Sequence, residues 1–464
     1  MRAFLETVRQ RRALTAGIAG AVVLISAALV YMGLSSADDP EAATPDATST
    51  ATATPTRTPT RTPSASPTPV RFAGILNGVA MTEEGWNARK DLLPIAVMLD
   101  NTPNAAPHAG LDKADVVYEA FVEGGITRLM AVFWSQEAEI VEPVRSARTP
   151  FVIWVDELGA LYGHGGAADT NNDADATGQI FEWKILDLNA FTPGPSTAYH
   201  RDRDRFAPYD LTTSTSALRE AAQRLNFAGP PRTESWKFKA DGEGTASAPA
   251  AGAIQVDFQA RGSSWQRIQW RWDDATKSYL RFQFGGPFID AVSEQQIAAT
   301  NVIVMRVPWR VVDESAHVLL EQFGTGEATV YLDGKAIAGT WKKDDRQGRT
   351  RFYDAAGAEI AFNRGPIWIE VVGPDSPVTS TVTAAEMPAL PRYVPPPPST
   401  IPEEPEELPT AATPDPTDTP TATSTPTSGP SETPTTGGSS TPQGTPETST
   451  PEPSASPEPS STPG

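Results

Sequence analysis

Residues 114–134 read ADVVYEAFVEGGITRLMAVFW, and residues 94–101 ahead of them read PIAVMLDN. Val116–Val122 and Ile126–Trp134 are apolar runs on either side of Gly124-Gly125, which fits two strands joined by a hairpin turn. Ile95–Leu99 is a further short apolar strand that ends at Asp100-Asn101. A helix carrying Leu111, Ala114, Tyr118 and Phe121 on one face has correct spacing too, so two readings stand.

Working outward, the next segment is helical. Thr149 can cap a helix, Pro150 suits its first position, and Phe151, Trp154, Val155 and Leu158 share a face. Gly159 can end it. Leu161-Tyr162 then leads into Gly163-His164-Gly165-Gly166, and a second helix is expected over 216–225. Strand and helix patterns thus alternate over 71–240, which predicts an α/β (or α+β) domain. A Gly/Ala/Ser/Pro shift over 240–253 reads as a linker. From residue 254 the pattern becomes short strands at about ten-residue spacing: 254–258, 265–272, 279–284, 301–307, 328–332, 335–341, 350–353 and 367–372. These predict a smaller, β-rich domain over 254–373, of sandwich or barrel type.

Both flanks differ in composition. Arg2, Arg9, Arg11 and Arg12 precede a charge-free, largely apolar run, Ala13–Leu34. About 20 such residues span a bilayer, and the basic cluster orients the N-terminus inside. Residues 1–37 are therefore expected to be a cytoplasmic stub with a transmembrane helix. The competing reading is a signal segment cleaved near Ala37. Either way the remainder is extracytoplasmic, at the cell membrane or secreted. Residues 38–70 and 394–464 are Pro/Thr/Ser-rich. The tail holds ten acidic residues and no basic one. Such segments cannot bury enough apolar surface to order themselves and are expected to be a disordered linker and a disordered tail.

Composition excludes several chemistries. The 464 residues contain no Cys, which removes disulfides, thiolate metal sites, a Cys nucleophile and the acylated Cys of a lipoprotein. A net charge of −20 argues against nucleic acid as a partner. No zinc-protease, Walker, nucleophile-elbow or dinucleotide motif occurs, so no cofactor and no metal site is expected.

Four clusters remain. Arg145, Ser146 and Arg148 stand just ahead of the 149–158 helix, where free N–H groups and two guanidinium forks suit a carboxylate or phosphate. The bland alternative pairs both arginines with structural acids. His164, Gly165 and Gly166 combine an imidazole with backbone that a ligand can approach closely. Arg201 and Arg205 lie in a run of alternating charge that either pairs with itself or reaches the same anion pocket. Glu119 and Glu123 are spaced to share one face and could divide acid and base roles or hold a cation, or else bridge to Arg128. Trp265, Trp270 and Trp272 form a sugar-stacking platform or belong to the core.

These stretches, in this order, resemble the YerB-like family of bacterial exported proteins, a family of unknown function often described as lipoproteins. The resemblance rests on residues 94–101, 114–120, 122–128, 143–148 and 203–208, then on 301–304, Asp333-Gly334-Lys335, Gly339-Thr340-Trp341 and Trp368-Ile369. It covers roughly residues 90–373 and implies an α/β N-terminal domain followed by a smaller β-rich one. Three departures stand out. The lipoprotein Cys is missing, with Ala13–Leu34 in its place. Glu142 stands where the family has Gly. Tyr209-Asp210 stands where the family has His-Asn.

The leading expectation is a membrane-tethered extracytoplasmic protein that binds an anionic or polymeric cell-envelope ligand through Arg145, Ser146, Arg148, His164, Gly165, Gly166, Arg201 and Arg205. The alternatives are an envelope hydrolase or transferase using His164 with Glu119 or Glu123, and a non-catalytic interaction scaffold.

Overall fold

Ile95–Asp100 is buried at all six positions, and so are Val116–Phe121 and Thr127–Phe133. Runs this apolar can only be central strands covered on both faces. The computed structural model describes residues 71–240, 242–245, 248–258 and 266–393. The expected membrane span, the 38–70 linker, the 394–464 tail and Trp265 lie outside the described residues. Among the described residues no helix is long and apolar enough to cross a membrane.

The first half runs α1 (Glu83–Arg89), β1 (Ile95–Asp100), β2 (Val116–Phe121), β3 (Thr127–Phe133), α2 (Thr149–Leu158), β4 (Leu161–His164), α3 (Ala176–Glu182), β5 (Leu186–Asn189), β6 (Tyr199–Arg201), β7 (Leu211–Thr213) and α4 (Thr215–Arg224). The second half is strand apart from a 3-10 turn at Ala384–Glu386: β8 (Ala253–Asp257), β9 (Arg267–Asp273), β10 (Ser278–Gln283), β11 (Gly286–Pro287), β12 (Ala298–Ala299), β13 (Asn301–Arg306), β14 (Trp309–Val311), β15 (Val318–Leu320), β16 (Gly324–Leu332), β17 (Lys335–Lys343), β18 (Arg351–Asp354), β19 (Ile367–Val372) and β20 (Val378–Thr381).

The hairpin reading of 114–134 holds. β2 and β3 pair antiparallel, joined by a tight turn at Glu123–Gly125 in which Gly124 has φ +68°. α2 also forms where expected, with Arg148 rather than Thr149 in the capping position. Gly159, at φ +58°, ends it by returning its N–H to the last turn.

The second half departs from a sandwich or barrel closed on itself. Its strands β13, β16, β17, β18 and β19 join those of the first half in one ten-stranded sheet, in the order β18-β17-β16-β13-β19-β2-β3-β1-β4-β5. The seam is β19 on β2, parallel, with Glu370 opposite Glu119. A second, six-stranded sheet runs β11-β10-β9-β8-β20, with β12 on β10, while β14 pairs with β15 and β6 with β7 as separate two-stranded sheets.

Alternation along β1 shows how the layers sit. Ile95, Val97 and Leu99 enter a core shared with α4 and with Ile254 and Trp270 of the second sheet. Ala96 and Met98 enter a core shared with Phe151, Trp154 and Val155 of α2. Each such apolar side chain contributes roughly 1.5–3 kcal/mol by burial.

Candidate functional site

Strand direction decides where a site can lie. β4 runs parallel to β1, and β5 to β4. β19 runs parallel to β2, and β13 to β19. β3 is antiparallel to both β1 and β2. Six strands therefore point one way, and their carboxyl ends share one edge of the sheet. Crevices outside such ends are where open α/β sheets bind ligands.

The Pro143–Arg148 stretch lies along that edge. Arg145 N donates to Met98 O at 2.9 Å, Gly165 N to Arg145 O at 3.0 Å, and Ala147 N to Gly166 O at 2.9 Å. Arg145, Ser146, Gly165 and Gly166 are thus neighbours. Ser146 Oγ donates to Gly165 O at 2.8 Å. Gly166 has φ +76°, which favours glycine, and a Cβ on Gly165 would meet Leu211 at 2.7 Å.

His164 ends β4 with its side chain 1% exposed. Its Nδ1 faces Gly166 O at 2.7 Å and its Nε2 faces Asp187 Oδ1 at 2.8 Å. Both partners are acceptors, so both contacts are hydrogen bonds only when both ring nitrogens carry protons. Both ring nitrogens are thus engaged within the protein. The carboxylate partner of His164 is Asp187. Neither Glu119 nor Glu123 contacts it.

His164 and Asp187 floor a cleft of about 410 Å³ that is also lined by Thr177, Phe181, Lys184, Asn189 and Thr192. Phe181 is 87% exposed. Asn189 Oδ1 accepts from Gly166 N at 3.0 Å and from Phe191 N at 3.1 Å. Asn189 itself lines the cleft. The cleft therefore offers a carboxylate acceptor, an amide donor, hydroxyls, an ammonium group and an open aromatic face. Asp187 and Asn189 escaped the sequence reading. The signal for them was the alternation Leu186-Asp187-Leu188-Asn189, a short strand directly after a helix.

The four arginines are each tied to an acid. Arg145 Nε donates to Asp100 Oδ2 at 2.7 Å, and its guanidinium stacks 5.1 Å from the Tyr209 ring centroid. Arg148 Nε donates to Glu123 Oε2 at 2.6 Å. Arg201 bridges to Asp210 at 2.5 Å, and Arg205 to Glu142 at 3.2 Å. Two of these acids occupy family-departure positions, so Glu142 and Asp210 both serve as arginine partners here. Burial pushes the Asp100 carboxyl up, but the Thr102 hydroxyl and Arg145 outweigh it and hold it below its usual range. Burial likewise raises Glu123, and Arg128 with Arg148 pull it down to about 2.

Glu119 and Glu123 separate. Glu123 caps the turn and takes Arg128 at 2.9 Å. Glu119 points into the core, where Arg281 Nη2 reaches it at 2.7 Å, while Asn101 and Thr127 donate to its other oxygen. Trp270 and Trp272 do not form a platform. Trp270 is fully buried and donates Nε1 to Glu370 at 2.8 Å, and Trp272 packs edge-on against Tyr279. The remaining histidines lie apart from the cleft residues. His108 is buried with Nε2 on Asp100 O, and burial lowers it to about 4. His317 pairs with Asp313 at 2.7 Å, and His200 is exposed on β6.

Two family models match this chain. The N-terminal domain of a protein of unknown function, DUF3048, matches residues 78–228, and the C-terminal domain of the same family matches residues 254–369. The inferred lipoprotein YerB of Bacillus subtilis (strain 168) is 27% identical over 295 residues, 60% of this chain and 81% of that protein. A crystal structure of YerB protein from Bacillus subtilis matches with a TM-score of 0.58 and 24% identity. The match covers 67% of this chain and 100% of the other. At that identity the structural likeness is one of fold.

Proposed function

Since the chain belongs to the YerB-like family of unknown function, we propose its role from its own cleft: an envelope-anchored extracytoplasmic protein that binds a cell-envelope glycan between Phe181 and the His164–Asp187–Asn189 group. The observation that carries this is the juxtaposition, in one open cleft, of an 87% exposed aromatic ring with a carboxylate and an amide. Sugar rings carry an apolar C–H face and a rim of hydroxyls. A ring lying on Phe181 would donate hydroxyl protons to Asp187 and accept from Asn189.

With each arginine neutralised by its own acid, a hydroxyl-bearing polymer suits the cleft better than a free anion. Lys184, which also lines the cleft, adds a preference for a glycan that carries carboxylates. A catalytic role has less support, because the Ser146 hydroxyl serves Gly165 O and no hydroxyl stands on His164. For anchoring, the name of the Bacillus protein points to a lipid-modified cysteine. This chain contains no cysteine, and the charge-free run at 13–34 takes that part in the proposal.

The test is binding of purified cell-wall glycan to the full-length protein. Phe181→Ala and Asp187→Asn should each weaken it about tenfold, equivalent to about 1.4 kcal/mol. Lys342→Ala, an exposed change on β17, should have no effect. Unchanged affinity in both cleft variants removes the glycan from this cleft.

A further inference from the structure

The same sheet edge carries a second cavity. Beyond the carboxyl ends of β2, β19 and β13, Phe121, Phe258, Trp309, Gly124, Gly125 and Ser376 line a pocket of about 220 Å³. Phe121 packs edge-on against Phe258 at 5.3 Å and tilts over Trp309 at 5.5 Å. Trp309 is 43% exposed on β14, and among the described residues its Nε1 donates to no group. Its seat is specific: a Cβ on Gly373 would fall 2.6 Å from that Nε1. Asp375, exposed, stands on the rim. An open indole with an unused N–H, a carboxylate and a hydroxyl beside it make an amphipathic surface, apolar on the floor and polar at the edge.

Printed on the fold is a path between this pocket and the His164 cleft. Gly166 pairs with Ala147, and Arg148 holds Glu123, which precedes Gly124 and Gly125. On the other side, the β14–β15 hairpin is tied to the loop that leads into α3. Arg310 donates to Asp173 at 3.1 Å, and Asn172 to Asp313 at 3.0 Å. α3 carries Phe181. The two cavities have no lining residue in common; these contacts link them along one edge of the sheet.

We infer that the Trp309 pocket is a second sugar subsite, which stacks a ring of the same glycan chain whose other part occupies the His164 cleft. This rests on the glycan reading of that cleft. A short sugar fills one site; a longer chain bridges both and gains effective concentration at the second.

The probes are the disaccharide and the hexasaccharide of β-1,4-linked N-acetylglucosamine, titrated calorimetrically into the full-length protein. Wild type should bind the hexasaccharide about tenfold more tightly than the disaccharide. Trp309→Ala should abolish that gain while leaving the disaccharide affinity unchanged, and Trp309→Phe should retain most of it. Asp375→Ala, on the exposed rim, gives a second variant that leaves the core untouched and should cost part of the gain. Urea midpoints measured alongside separate folding from binding. If the length-dependent gain survives Trp309→Ala and Asp375→Ala while Asp187→Asn still weakens both probes, the second subsite is wrong and the cleft reading stands. If Asp187→Asn and Phe181→Ala leave both probes unaffected, or neither probe binds, both readings fall.

Discussion

At the scale of single residues, Glu119, Arg281 and Glu370 form a fully buried charged trio. One guanidinium serves two carboxyls, at 2.7 Å and 3.0 Å, and is sandwiched against Trp368 at 4.3 Å. Burial, and then the charge of Glu119, raise the Glu370 carboxyl well above its ordinary value of 4.5. The linkage follows in sign. A carboxyl raised on folding stabilises fully below about 4.5, and that contribution is lost as pH rises through its folded value. Glu370→Gln mimics the protonated acid. It should leave urea stability at neutral pH within about 1 kcal/mol of wild type and flatten the decline at higher pH. Glu119→Gln leaves Arg281 buried without its counter-charge and should cost about 3–5 kcal/mol. Equal losses in the two variants would contradict the raised Glu370 carboxyl.

At the scale of elements, glycines fix how closely strands approach. Gly339, in β17, lies opposite Asp354 of β18, and a Cβ there would fall 1.9 Å from Tyr353 O. Gly339→Ala must push the edge strand away and should cost about 1–3 kcal/mol in chemical denaturation. Gly286→Ala, where a Cβ meets nothing within 4 Å, should be neutral. A neutral Gly339→Ala would mean that this edge does not need its close approach. Strands such as β1 and β2 were legible in the sequence because burial on both faces leaves continuous apolar runs, and α2 because Pro150 and Gly159 punctuate it. α1 and α3 are seven residues each and carry too few periodic positions to announce themselves. The four arginines could not be assigned from sequence, because Asp100, Glu123, Asp210 and Glu142 meet them through tertiary contacts rather than through a fixed spacing. The sequence pattern alone found His164 and its glycines, yet Asp187 reaches His164 only because β5 lies beside β4.

At the scale of the whole molecule, the composition break near 240–253 marks where the two family segments meet in sequence, yet the sheet ignores it. β19 of the second segment lies against β2 of the first, and their paired glutamates share Arg281. This closure gives six strands a common direction and so creates the single edge on which both cavities open. Function at that edge is best examined by soaking crystals of the protein with a cell-wall disaccharide. Density for a ring lying flat on Phe181, with hydroxyls within 3.2 Å or so of Asp187 and Asn189, is the expected outcome. An empty cleft at saturating sugar, or a ring bound elsewhere with Phe181 untouched, would overturn the proposal.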